Sequence, residues 1–327
     1  MTAQVAIIGA GMAGLACAQA LTAAGRAVQI FEKSRGPGGR MSTRRSGPRR
    51  YDHGAQYFTA RDPGFGRVVA RWEAEGLVAA WEGRLATLRR GQLTPHIAKH
   101  PRYVGVPRMS ALTRHLCMDL PLHTGVRVAR VAEVAGGGLE LRDEHDAALG
   151  RFDQVVVATP AAQAVPLLEA APALAAAAEA GVMEPCLAAM VTVAAPIALP
   201  VDGAWVEDSP LAWIARGASR PGRPEADSWV LQASHAWSRQ HLEDALDDIA
   251  QALWEALGEA AGASPGERTE AMGHRWRHAI PRGPYPDGPL LDRTVGLGAC
   301  GDWCVGPRVE AAWLSGQGLA RAIISGT

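Results

Sequence analysis

The stretch Val5–Glu32, VAIIGAGMAGLACAQALTAAGRAVQIFE, decides the fold. The apolar run Val5–Ile8 predicts a strand, and the alanine- and leucine-rich run Met12–Ala24 predicts a helix that ends at a glycine. Val28–Phe31 predicts a second strand. A strand, a helix and a second strand of these lengths form a βαβ unit, in which the strands are parallel. The sequence therefore predicts an α/β fold.

Glycines at the junction of the first strand and the helix have the spacing of a dinucleotide-binding turn. Gly9, Gly11 and Gly14 form GAGMAG, and Glu32 follows Gly14 by 18 residues, at the end of the second strand. The first glycine allows a tight turn, the second lets the backbone approach a pyrophosphate, and the third permits close packing of the helix on the sheet. The acid binds ribose hydroxyls, and an acid rather than a basic residue favours FAD or NAD over NADP. We therefore expect a Rossmann-like dinucleotide-binding domain.

Two further glycine-containing segments favour FAD over NAD. Arg35–Met41, RGPGGRM, adds arginines and a second glycine-rich turn directly after the ribose-binding strand, where they can hold the far side of an extended pyrophosphate. Gly296–Leu319, GLGACGDWCVGPRVEAAWLSGQGL, has the pattern of a strand, a Gly-Asp pair, a glycine-broken loop and a helix. Such a segment presents backbone N–H groups and one carboxylate to a polar ligand. A domain that binds NAD alone does not need this second segment.

Composition excludes several other classes of protein. Lys plus Arg and Asp plus Glu number 33 each, which argues against a nucleic-acid or membrane-surface partner. The five cysteines do not form a disulfide framework, and Cys300 and Cys304 have no second Cys or His pair at zinc-ligand spacing, so we expect no metal site. No uninterrupted apolar run of about 18 residues is present, and the N-terminus lacks the basic region of a signal peptide. We expect a soluble, unprocessed, cytoplasmic protein.

Motifs along nearly the whole chain resemble a known family. GAGMAG followed by EKSRGPGGR resembles the amine-oxidase-like FAD flavoproteins. DHGAQYFTARD at Asp52–Asp62, HRWRHA at His274–Ala279 and CGDWCVGPRVEAAWLSGQ at Cys300–Gln317 narrow the resemblance to the renalase family in its bacterial form. The resemblance implies a two-domain flavoprotein, with a Rossmann-like FAD-binding domain and an inserted substrate domain built on a mainly antiparallel sheet with helices.

The rest of the chain contains no internal repeat and no long linker, so we expect the second domain to be inserted into the first. Ser110 predicts the N-cap of a helix, Val126–Val134 and Leu139–Leu141 predict a hairpin, and Leu242–Leu257 predicts a helix. We expect residues 1–62, 103–165 and 285–327 to form the FAD-binding domain, and residues 63–102 and 166–284 to form the substrate domain.

The resemblance also implies which residues hold FAD, which would lie extended between the N-terminal βαβ unit and the C-terminal Gly-Asp segment. Asp302 would bind the ribityl or pyrophosphate segment, and the helix beginning near Val309 would direct its positive N-terminus at the N1–C2=O edge of the flavin. Cys300 and Cys304 lie inside the C-terminal motif, whereas monoamine oxidases attach flavin through a cysteine well upstream of it, so we expect noncovalent FAD. The residues implied to contact FAD are Gly9, Gly11, Met12, Ala13, Gly14, Glu32, Lys33, Arg35, Gly39, Arg40, Met41, Gly54, Ala55, Gln56, Tyr57, Val128, Thr159, Pro160, Gly301, Asp302, Arg308, Val309 and Glu310.

Three reactions suit a flavin in such a fold: amine oxidation, isomerisation or desaturation of a carbon skeleton, and hydride removal from a dihydropyridine. Related amine oxidases place a lysine near flavin N5, but the lysines here are Lys33 and Lys99, and neither has a suitable place in the sequence. The resemblance implies oxidation of 2-dihydro-β-NAD(H)-type or NADP(H)-type isomers to NAD(P)⁺, with O₂ reduced to hydrogen peroxide. Loss of hydride leaves an aromatic pyridinium, so no general base is needed. An amine oxidase and a non-catalytic flavin-binding module stay open as alternatives.

The substrate would be a planar, anionic dihydronicotinamide dinucleotide or mononucleotide. We expect Trp276 and Trp213 to lie against the nicotinamide, with Arg275, His235 and Gln56 as polar contacts. Core packing of Trp213 and a structural role of His235 fit the sequence as well. Basic side chains between residues 33 and 50 either steer the substrate or form a solvated loop.

Overall fold

The computed structural model describes residues 4–223 and 227–326. Within these residues the helices are α1 (Met12–Ala23), α2 (Pro63–Ala74), α3 (Met109–Leu116), α4 (Ala161–Ala164), α5 (Pro172–Glu179), α6 (His235–Gln240), α7 (Leu246–Ala261) and α8 (Val309–Ile324). The strands there are β1 (Gln4–Ile8), β2 (Ala27–Glu32), β3 (Arg44–Ser46), β4 (Arg49–Tyr51), β5 (Val78–Ala80), β6 (Leu85–Arg89), β7 (Gln92–Pro95), β8 (Tyr103–Gly105), β9 (Leu122–Thr124), β10 (Val128–Glu133), β11 (Leu139–Asp143), β12 (Ala148–Phe152), β13 (Gln154–Val157), β14 (Val182–Val193), β15 (Gly203–Val206), β16 (Leu211–Arg216), β17 (Ser228–Ala233), β18 (Arg268–Arg282), β19 (Leu290–Asp292) and β20 (Leu297–Ala299).

The chain forms two compact units. Unit 1 comprises Met1–Met41, Thr113–Met183 and Ile280–Thr327. Its main sheet has the order β19–β20–β13–β1–β2–β9, with parallel pairing throughout except for β19, which joins the edge antiparallel. β1 therefore lies inside a parallel sheet, and the GAGMAG turn follows its carboxyl end, as the sequence predicts.

A second, three-stranded sheet of unit 1, β10–β11–β12, is antiparallel and shares one apolar core with the main sheet. Phe31 of the main sheet and Leu141 of the smaller one both belong to this core, as does Leu174 of α5. Burial of such side chains contributes about 2 kcal/mol each. This shared core holds the carboxyl ends of β1 and β2 in place.

Unit 2 comprises Ser42–Leu112 and Glu184–Ala279. Its sheet has the order β18–β14–β17–β16–β15–β6–β7, in which β6 and β15 are parallel and the neighbouring pairs from β14 to β15, like β6 with β7, are antiparallel. The amphipathic helix α7 buries Leu253 and Leu257 in the same core as Leu231 of β17. The two units confirm the predicted α/β fold, with a Rossmann-like part and a mainly antiparallel sheet with helices.

The limits of the compact units differ from the predicted domain boundaries. Residues 42–62 and 103–112 lie in unit 2, although we expected them in the FAD-binding domain. The reason is hydrogen bonding within unit 2, since Tyr51 bonds Thr192 of β14 through its hydroxyl. Residues 166–183 lie in unit 1 instead of the expected substrate domain, because α5 contributes to the core of unit 1.

Several predicted elements are present with shifted ends. The predicted hairpin is formed by β10 and β11, and Gly136–Gly138 between them all have positive φ, a conformation that glycine tolerates. The helix predicted over Leu242–Leu257 begins at Leu246, after a turn in which Asp244 N–H bonds His241 O. α3 begins at Met109, so Ser110 lies inside the helix and is not its N-cap.

Candidate active site

The turn between β1 and α1 has the geometry of a phosphate-binding turn. Gly9 has φ 108° and its N–H donates to Phe31 O at 2.8 Å, which ties the turn to β2. A Cβ on Gly14 would lie 2.0 Å from Gly9 O, so any larger residue there would push α1 away from the turn. A Cβ on Gly11 would meet nothing within 4 Å, so space is open beside this backbone. Gly11 is the N-cap of α1, and no acidic residue lies in the first turn, which leaves the positive helix end available to an anion.

Glu32 lies beside this turn with its carboxylate held in place. Its Oε2 accepts the N–H of Ala10 at 2.9 Å, and its Oε1 accepts the N–H of Ser34 at 2.8 Å. A carboxylate offers about four lone-pair positions, so two backbone bonds leave room for two ribose hydroxyls. The side chain is buried, and its orientation is thus set before a ligand binds.

The second glycine-rich turn closes against the first. Gly38 N–H donates to Ala10 O at 2.9 Å, and a Cβ on Gly39 would come within 3.7 Å of Gly11 Cα. Arg40 then reaches the C-terminal motif, where its Nη1 and Nη2 donate to the two carboxylate oxygens of Asp302 at 2.7 and 2.6 Å. The two segments expected to hold the two ends of an extended dinucleotide therefore meet in one bidentate ion pair of unit 1. A pyrophosphate or ribityl chain would face this pair, not a lone carboxylate.

The helix after the C-terminal motif begins at Val309, as predicted. Its first turn contains Glu310, which is buried and has an oxygen 3.6 Å from Nε of Arg308, the N-cap residue. A carboxylate in the first turn lowers the positive potential of a helix N-terminus. The positive potential that α8 directs at a ligand is therefore smaller than that of a helix whose first turn contains no acidic residue.

Four other predicted FAD contacts of unit 1 have different environments. Among the described residues, the buried Thr159 Oγ1 has no hydrogen-bond partner, whereas the carbonyl of Thr159 accepts from Trp303 Nε1 at 3.0 Å. Pro160 is the N-cap of α4. Lys33 donates to Gln163 at 2.9 Å. Val128 is buried in the apolar core. The open space at Gly11 and the unpaired Thr159 hydroxyl fit a bound dinucleotide.

In unit 2, the segment Gly54–Tyr57 is held from one side by side chains. His53 O accepts from Trp276 Nε1 at 3.0 Å, and Gly54 O accepts from Gln232 Nε2 at 2.8 Å. The N–H groups of Gly54 and Ala55 have no acceptor among the residues that the structure describes. The carbonyls of His53 and Gly54 have hydrogen-bond donors, whereas the described residues offer no acceptor to the N–H groups of Gly54 and Ala55. The segment can therefore donate hydrogen bonds to a ligand.

An aromatic cluster, which we call the His–Trp cluster, is formed by His53, His274 and Trp276. The ring centroids of His53 and His274 are 4.4 Å apart, and Trp276 lies 4.9 Å from His53 and 4.4 Å from His274. Burial, together with His274 and Arg44 nearby, lowers the pKa of His53 to about 3. Burial and Arg44 lower the pKa of His274 to about 4. Both imidazoles are therefore neutral at pH 7, and His53 Nδ1 and His274 Nε2 have no partner within the described residues.

A second cluster surrounds Trp213, which is buried with ring centroids of Trp205 at 4.9 Å and Tyr57 at 5.7 Å. Gln56 joins this region to a buried arginine, because its Oε1 accepts from Arg220 Nη2 at 2.6 Å. Gln56 Nε2 donates to Gly54 O at 3.1 Å and to a second carbonyl, so both N–H groups of the amide are engaged. Trp213 and Trp276 thus lie at opposite ends of the segment His53–Tyr57, and Gln56 positions that segment.

Two predicted substrate contacts are not in either cluster. Arg275 neighbours Trp276 in β18, so the two side chains point to opposite faces of the sheet, and Arg275 donates to Asp244 O. His235 Nδ1 lies 2.9 Å from Pro185 O and must donate to it, since a carbonyl only accepts. Each of the two side chains thus bonds a backbone carbonyl, and contact with a substrate stays a prediction for both. His53 and His274, which sequence reasoning missed as site residues, lie inside the motifs DHGAQYFTARD and HRWRHA.

The neutral histidines predict a pH dependence of stability. An unfolded histidine titrates near pH 6.5, whereas the folded pKa values are about 3 and 4, so the unfolded state binds more protons between these limits. The contribution of these two histidines to the free energy of unfolding is therefore fully present above pH 6.5, and it is lost as the pH is lowered toward 4. Thermal unfolding of His53→Gln/His274→Gln should show a weaker decline over this range, while replacing the exposed His145 should leave the profile of the wild type. Parallel profiles for wild type and the double variant would contradict the assignment.

Three observations bear on other kinds of site. All five cysteines are free and buried. Within residues 4–223 and 227–326, no group of three or more His, Cys, Asp or Glu side chains could hold a metal ion. No helix of the same residues combines the length and the apolar character that crossing a membrane requires.

The fold and the glycine turn define a dinucleotide-binding protein with a Rossmann-like domain. The sequence pattern of NAD(P)-binding Rossmann-like domains matches residues 7–72, and that of flavin containing amine oxidoreductases matches residues 87–324. The chain belongs to the flavin containing amine oxidoreductase family. FAD is accordingly its cofactor, as the sequence predicts.

Solved structures share the fold at low sequence identity. A protein provisionally named as a protoporphyrinogen oxidase, from Exiguobacterium sp. 255-15, superposes with a TM-score of 0.80 at 12% identity and 100% coverage of both chains. A putrescine oxidase variant, A394C, gives a TM-score of 0.75 at 13% identity, again with 100% coverage of both chains. At these identities the likeness concerns the fold alone.

Proposed function

We propose that the protein oxidises dihydronicotinamide nucleotides reduced at the wrong ring carbon, of the 2-dihydro-β-NAD(H) or NADP(H) type, to NAD(P)⁺. In this proposal O₂ is the electron acceptor and hydrogen peroxide the second product, as in the renalase family. Bound FAD would supply the two-electron chemistry that links the substrate to O₂, and the overall reaction balances, since one dihydronicotinamide, one O₂ and one proton give one nicotinamide cation and one H₂O₂.

The observation that carries the proposal is the His–Trp cluster. The ring of a dihydronicotinamide becomes positively charged as it is oxidised, and an indole face stabilises a cation by about 0.5–2 kcal/mol. His53 and His274, being neutral at pH 7, do not repel this charge. The indole face of Trp276 would therefore favour the cationic product-like state over the neutral substrate, which is the requirement for catalysis.

The residues of the chain have further roles in this proposal. The β1–α1 turn and Glu32 hold the adenosine and pyrophosphate portion of FAD, and the Arg40–Asp302 pair faces its ribityl or pyrophosphate portion. The N–H groups of Gly54 and Ala55 supply hydrogen bonds to a ligand beside Trp276. No general base is assigned, because aromatisation of the ring drives the reaction without one.

The test is anaerobic mixing of the purified yellow protein with borohydride-treated NAD⁺, which contains the 2-, 4- and 6-dihydro isomers. Bleaching of the flavin absorbance with loss of the 2-dihydro isomer is the expected result. The same mixture shows whether the 6-dihydro isomer is consumed, and parallel reactions with NADP⁺-derived isomers show which form is preferred. A flavin that stays oxidised with every isomer would overturn the proposal and favour a non-catalytic flavin-binding module.

The family match favours a second candidate, oxidation of a primary or secondary amine. It predicts that an amine such as putrescine bleaches the flavin anaerobically while the dihydronicotinamides do not. The side chains argue against it, because the lysines of the chain are Lys33, which bonds Gln163, and the exposed Lys99. Anaerobic mixing with amines, in parallel with borohydride-treated NAD⁺, distinguishes the two candidate functions in one experiment.

Replacing Trp276 tests the cluster directly. Trp276→Ala should slow flavin reduction by the 2-dihydro isomer by about tenfold or more, since it removes the cation-stabilising face, with FAD still bound. Trp276→Phe is the matched control, because it keeps an aromatic face and loses the bond to His53 O, and it should retain most of the rate. Stopped-flow absorbance gives both rates, and an unchanged rate in Trp276→Ala would remove this residue from the site.

A further inference from the structure

A row of side chains crosses one face of the unit 2 sheet, from β15 to the His–Trp cluster. Trp205 of β15 is directly opposite Trp213 of β16, and Trp213 is directly opposite Gln232 of β17. Residues directly opposite in an antiparallel pair project to the same face. Gln232 Nε2 donates to His53 O at 3.2 Å, and Trp276 Nε1 donates to the same carbonyl oxygen at 3.0 Å. The aromatic cluster around Trp213 and the His–Trp cluster are therefore joined on one face of the sheet.

The two ends of this row are far apart. Trp205 and Trp276 lie on strands that are four strand spacings apart in the order β18–β14–β17–β16–β15, which corresponds to about 19 Å. Trp213, between them, is buried, whereas Trp205 is half-buried and open to a ligand. A nicotinamide mononucleotide ends at one phosphate, whereas a dinucleotide continues through a second phosphate to a second ring. The longer ligand can therefore contact both ends of the row.

The end of the row at Trp205 contains a half-buried arginine, Arg102. Its guanidinium carbon is 5.5 Å from the ring centroids of both Tyr57 and Trp205. Its Nη2 donates to Nδ1 of the exposed His96 at 3.1 Å, and it forms no ion pair with any residue that the structure describes. A guanidinium group has five N–H donors and matches phosphate oxygens with two parallel hydrogen bonds. Arg102 is therefore suited to an anion that approaches Trp205.

A second arginine adjoins the same aromatic cluster from a buried position. Arg220 is 2% exposed, and its guanidinium carbon lies 5.1 Å from the ring centroid of Trp81, which is 6.2 Å from that of Tyr57. Its Nη2 donates to Gln56 Oε1 at 2.6 Å, whereas its Nε and Nη1 have no hydrogen-bond partner within the described residues. Burial, with Arg223 nearby, lowers the pKa of Arg220 to about 9, so the side chain is still charged at pH 7.

This buried charge is unfavourable for the protein alone. Arg223 is also buried and is paired with the carboxylate of Asp52, so two buried arginines share one described carboxylate. A buried charge without a counter-charge lowers stability, and its replacement by an apolar side chain is often neutral or stabilising. Arg102 and Arg220 thus give the aromatic cluster two positive charges with no counter-charge in the part of the chain that the structure describes. A bound anion would supply one.

We propose that Arg102 and Trp205 bind the half of a dinucleotide substrate that does not react, with its phosphates at Arg102 and its second ring against Trp205. Arg220 is a positioning residue in this subsite: it is covered by protein, and its charge strengthens the attraction of the cluster for an anion. The inference rests on the proposed function for the identity of the reacting ring. It assigns the subsite a role in substrate selection, in which dinucleotides are preferred to mononucleotides.

Calorimetric titration of the oxidised holoprotein with ADP-ribose, the dinucleotide without its nicotinamide, tests the subsite without turnover. FAD occupies the β1–α1 turn in the holoprotein, so ADP-ribose reports a different site. Arg102→Gln should weaken its binding about tenfold or more, because hydrogen bonds between charged groups are lost. Adenosine, which has the ring and no phosphate, should bind wild type and variant equally. Absent binding of ADP-ribose, or equal affinity in wild type and Arg102→Gln, would overturn the proposal.

A comparison of two buried arginines tests the role of Arg220. Arg220→Met should weaken ADP-ribose binding about threefold or more without lowering the apparent Tm, because it removes an unpaired buried charge. Arg220→Lys, which keeps the charge, should restore the affinity. Arg223→Met is the matched control, and it should lower the Tm because it leaves the buried Asp52 without its partner. Unchanged affinity in Arg220→Met would contradict the role of Arg220, and a fall in Tm like that of Arg223→Met would assign Arg220 to the fold.

Kinetics connect the subsite with the proposed reaction. In the wild type we expect a higher kcat/KM for the 2-dihydro dinucleotide than for the 2-dihydro mononucleotide, and Arg102→Gln should lower this ratio about tenfold or more, through KM. Arg89→Gln is the matched control, because Arg89 is exposed on the sheet of unit 2 and is paired with Asp208 at 2.9 Å. It should retain the ratio of the wild type. The same ratio in wild type and Arg102→Gln would contradict a contact with the second half of the substrate.

The subsite and the proposed function can fail separately. If the wild type binds ADP-ribose through Arg102 but oxidises neither the dinucleotide nor the mononucleotide, the proposed function fails and the subsite stands. If the 2-dihydro dinucleotide bleaches the flavin but ADP-ribose does not bind, the proposed function stands and the subsite is overturned.

Discussion

Gly316→Ala is expected to lower the apparent Tm by about 6–12 °C, corresponding to about 3 kcal/mol or more of lost stability. Gly316 lies in α8 where this helix crosses α1, and a Cβ there would lie 2.1 Å from Ala13 O and 3.1 Å from Cys17 N. These are backbone atoms, so no side-chain rotation relieves the contact and the helices must separate. Circular dichroism during a thermal scan measures the effect.

The same substitution should release FAD, because Ala13 lies in the first turn of α1 at the dinucleotide-binding turn. Gly318→Ala is the matched control two residues along α8, where the new Cβ would meet the ring of Pro289 at 3.2 Å and the end of the Arg321 side chain at 4.0 Å. The better helix propensity of alanine offsets that tight contact, so its Tm should stay close to that of the wild type. Equal Tm values for the two variants would show that α1 and α8 are less closely packed than the structure indicates.

Local patterns in the sequence were sufficient for the Rossmann-like part of the fold. Hydrophobic periodicity and glycine spacing within Val5–Glu32 predict the strand, the turn, the helix and the acidic residue. Both patterns involve residues that are close together in the sequence. Gly316 shows the limit of this reasoning, because its small size matters only against Ala13, about 300 residues earlier. The limits of the compact units differ from the expected domain boundaries for the same reason: Tyr51 belongs to unit 2 and bonds Thr192, a contact that no local pattern reveals.

The candidate site was predicted in part. The motif match pointed to Trp276 and to the segment Gly54–Tyr57, and in the structure Trp276 bonds the carbonyl of His53, directly before that segment. Arg275 was expected to contact the same nicotinamide as Trp276, but neighbours in a strand face opposite sides of a sheet. His53 and His274 were missed because their significance depends on burial and on each other, which are properties of the folded chain.

The evidence for the cofactor and the evidence for the substrate come from different parts of the molecule. The family match and the glycine turns establish FAD, and the fold is shared with oxidases that have different names. A fold supports many reactions, so the reaction has to be argued from the site. Under the proposed function, the neutral imidazoles and the indole face of the His–Trp cluster would meet a ring that becomes cationic.

Glu32→Ala is expected to weaken FAD binding by about 100-fold or more. The change removes the two acceptor positions left for the ribose hydroxyls, and each hydrogen bond to a charged group contributes about 1.5–3 kcal/mol. It also leaves the N–H groups of Ala10 and Ser34 without their carboxylate partner, which loosens the turn that approaches the pyrophosphate. FAD content after desalting, and calorimetric titration of the apoprotein with FAD, measure the loss.

Asp153→Asn is the matched control for Glu32→Ala. Asp153 also accepts a backbone N–H bond, from Gln4 at 2.7 Å, but it lies at the opposite end of the parallel strands from the glycine turn. Its replacement should leave FAD content unchanged. Titration with AMP separates the two effects of Glu32→Ala, since AMP contains the ribose and lacks the pyrophosphate: a loss of AMP binding similar to that of FAD identifies the ribose contact, whereas a loss confined to FAD would assign Glu32 to shaping the turn. Full retention of FAD by Glu32→Ala would contradict both roles.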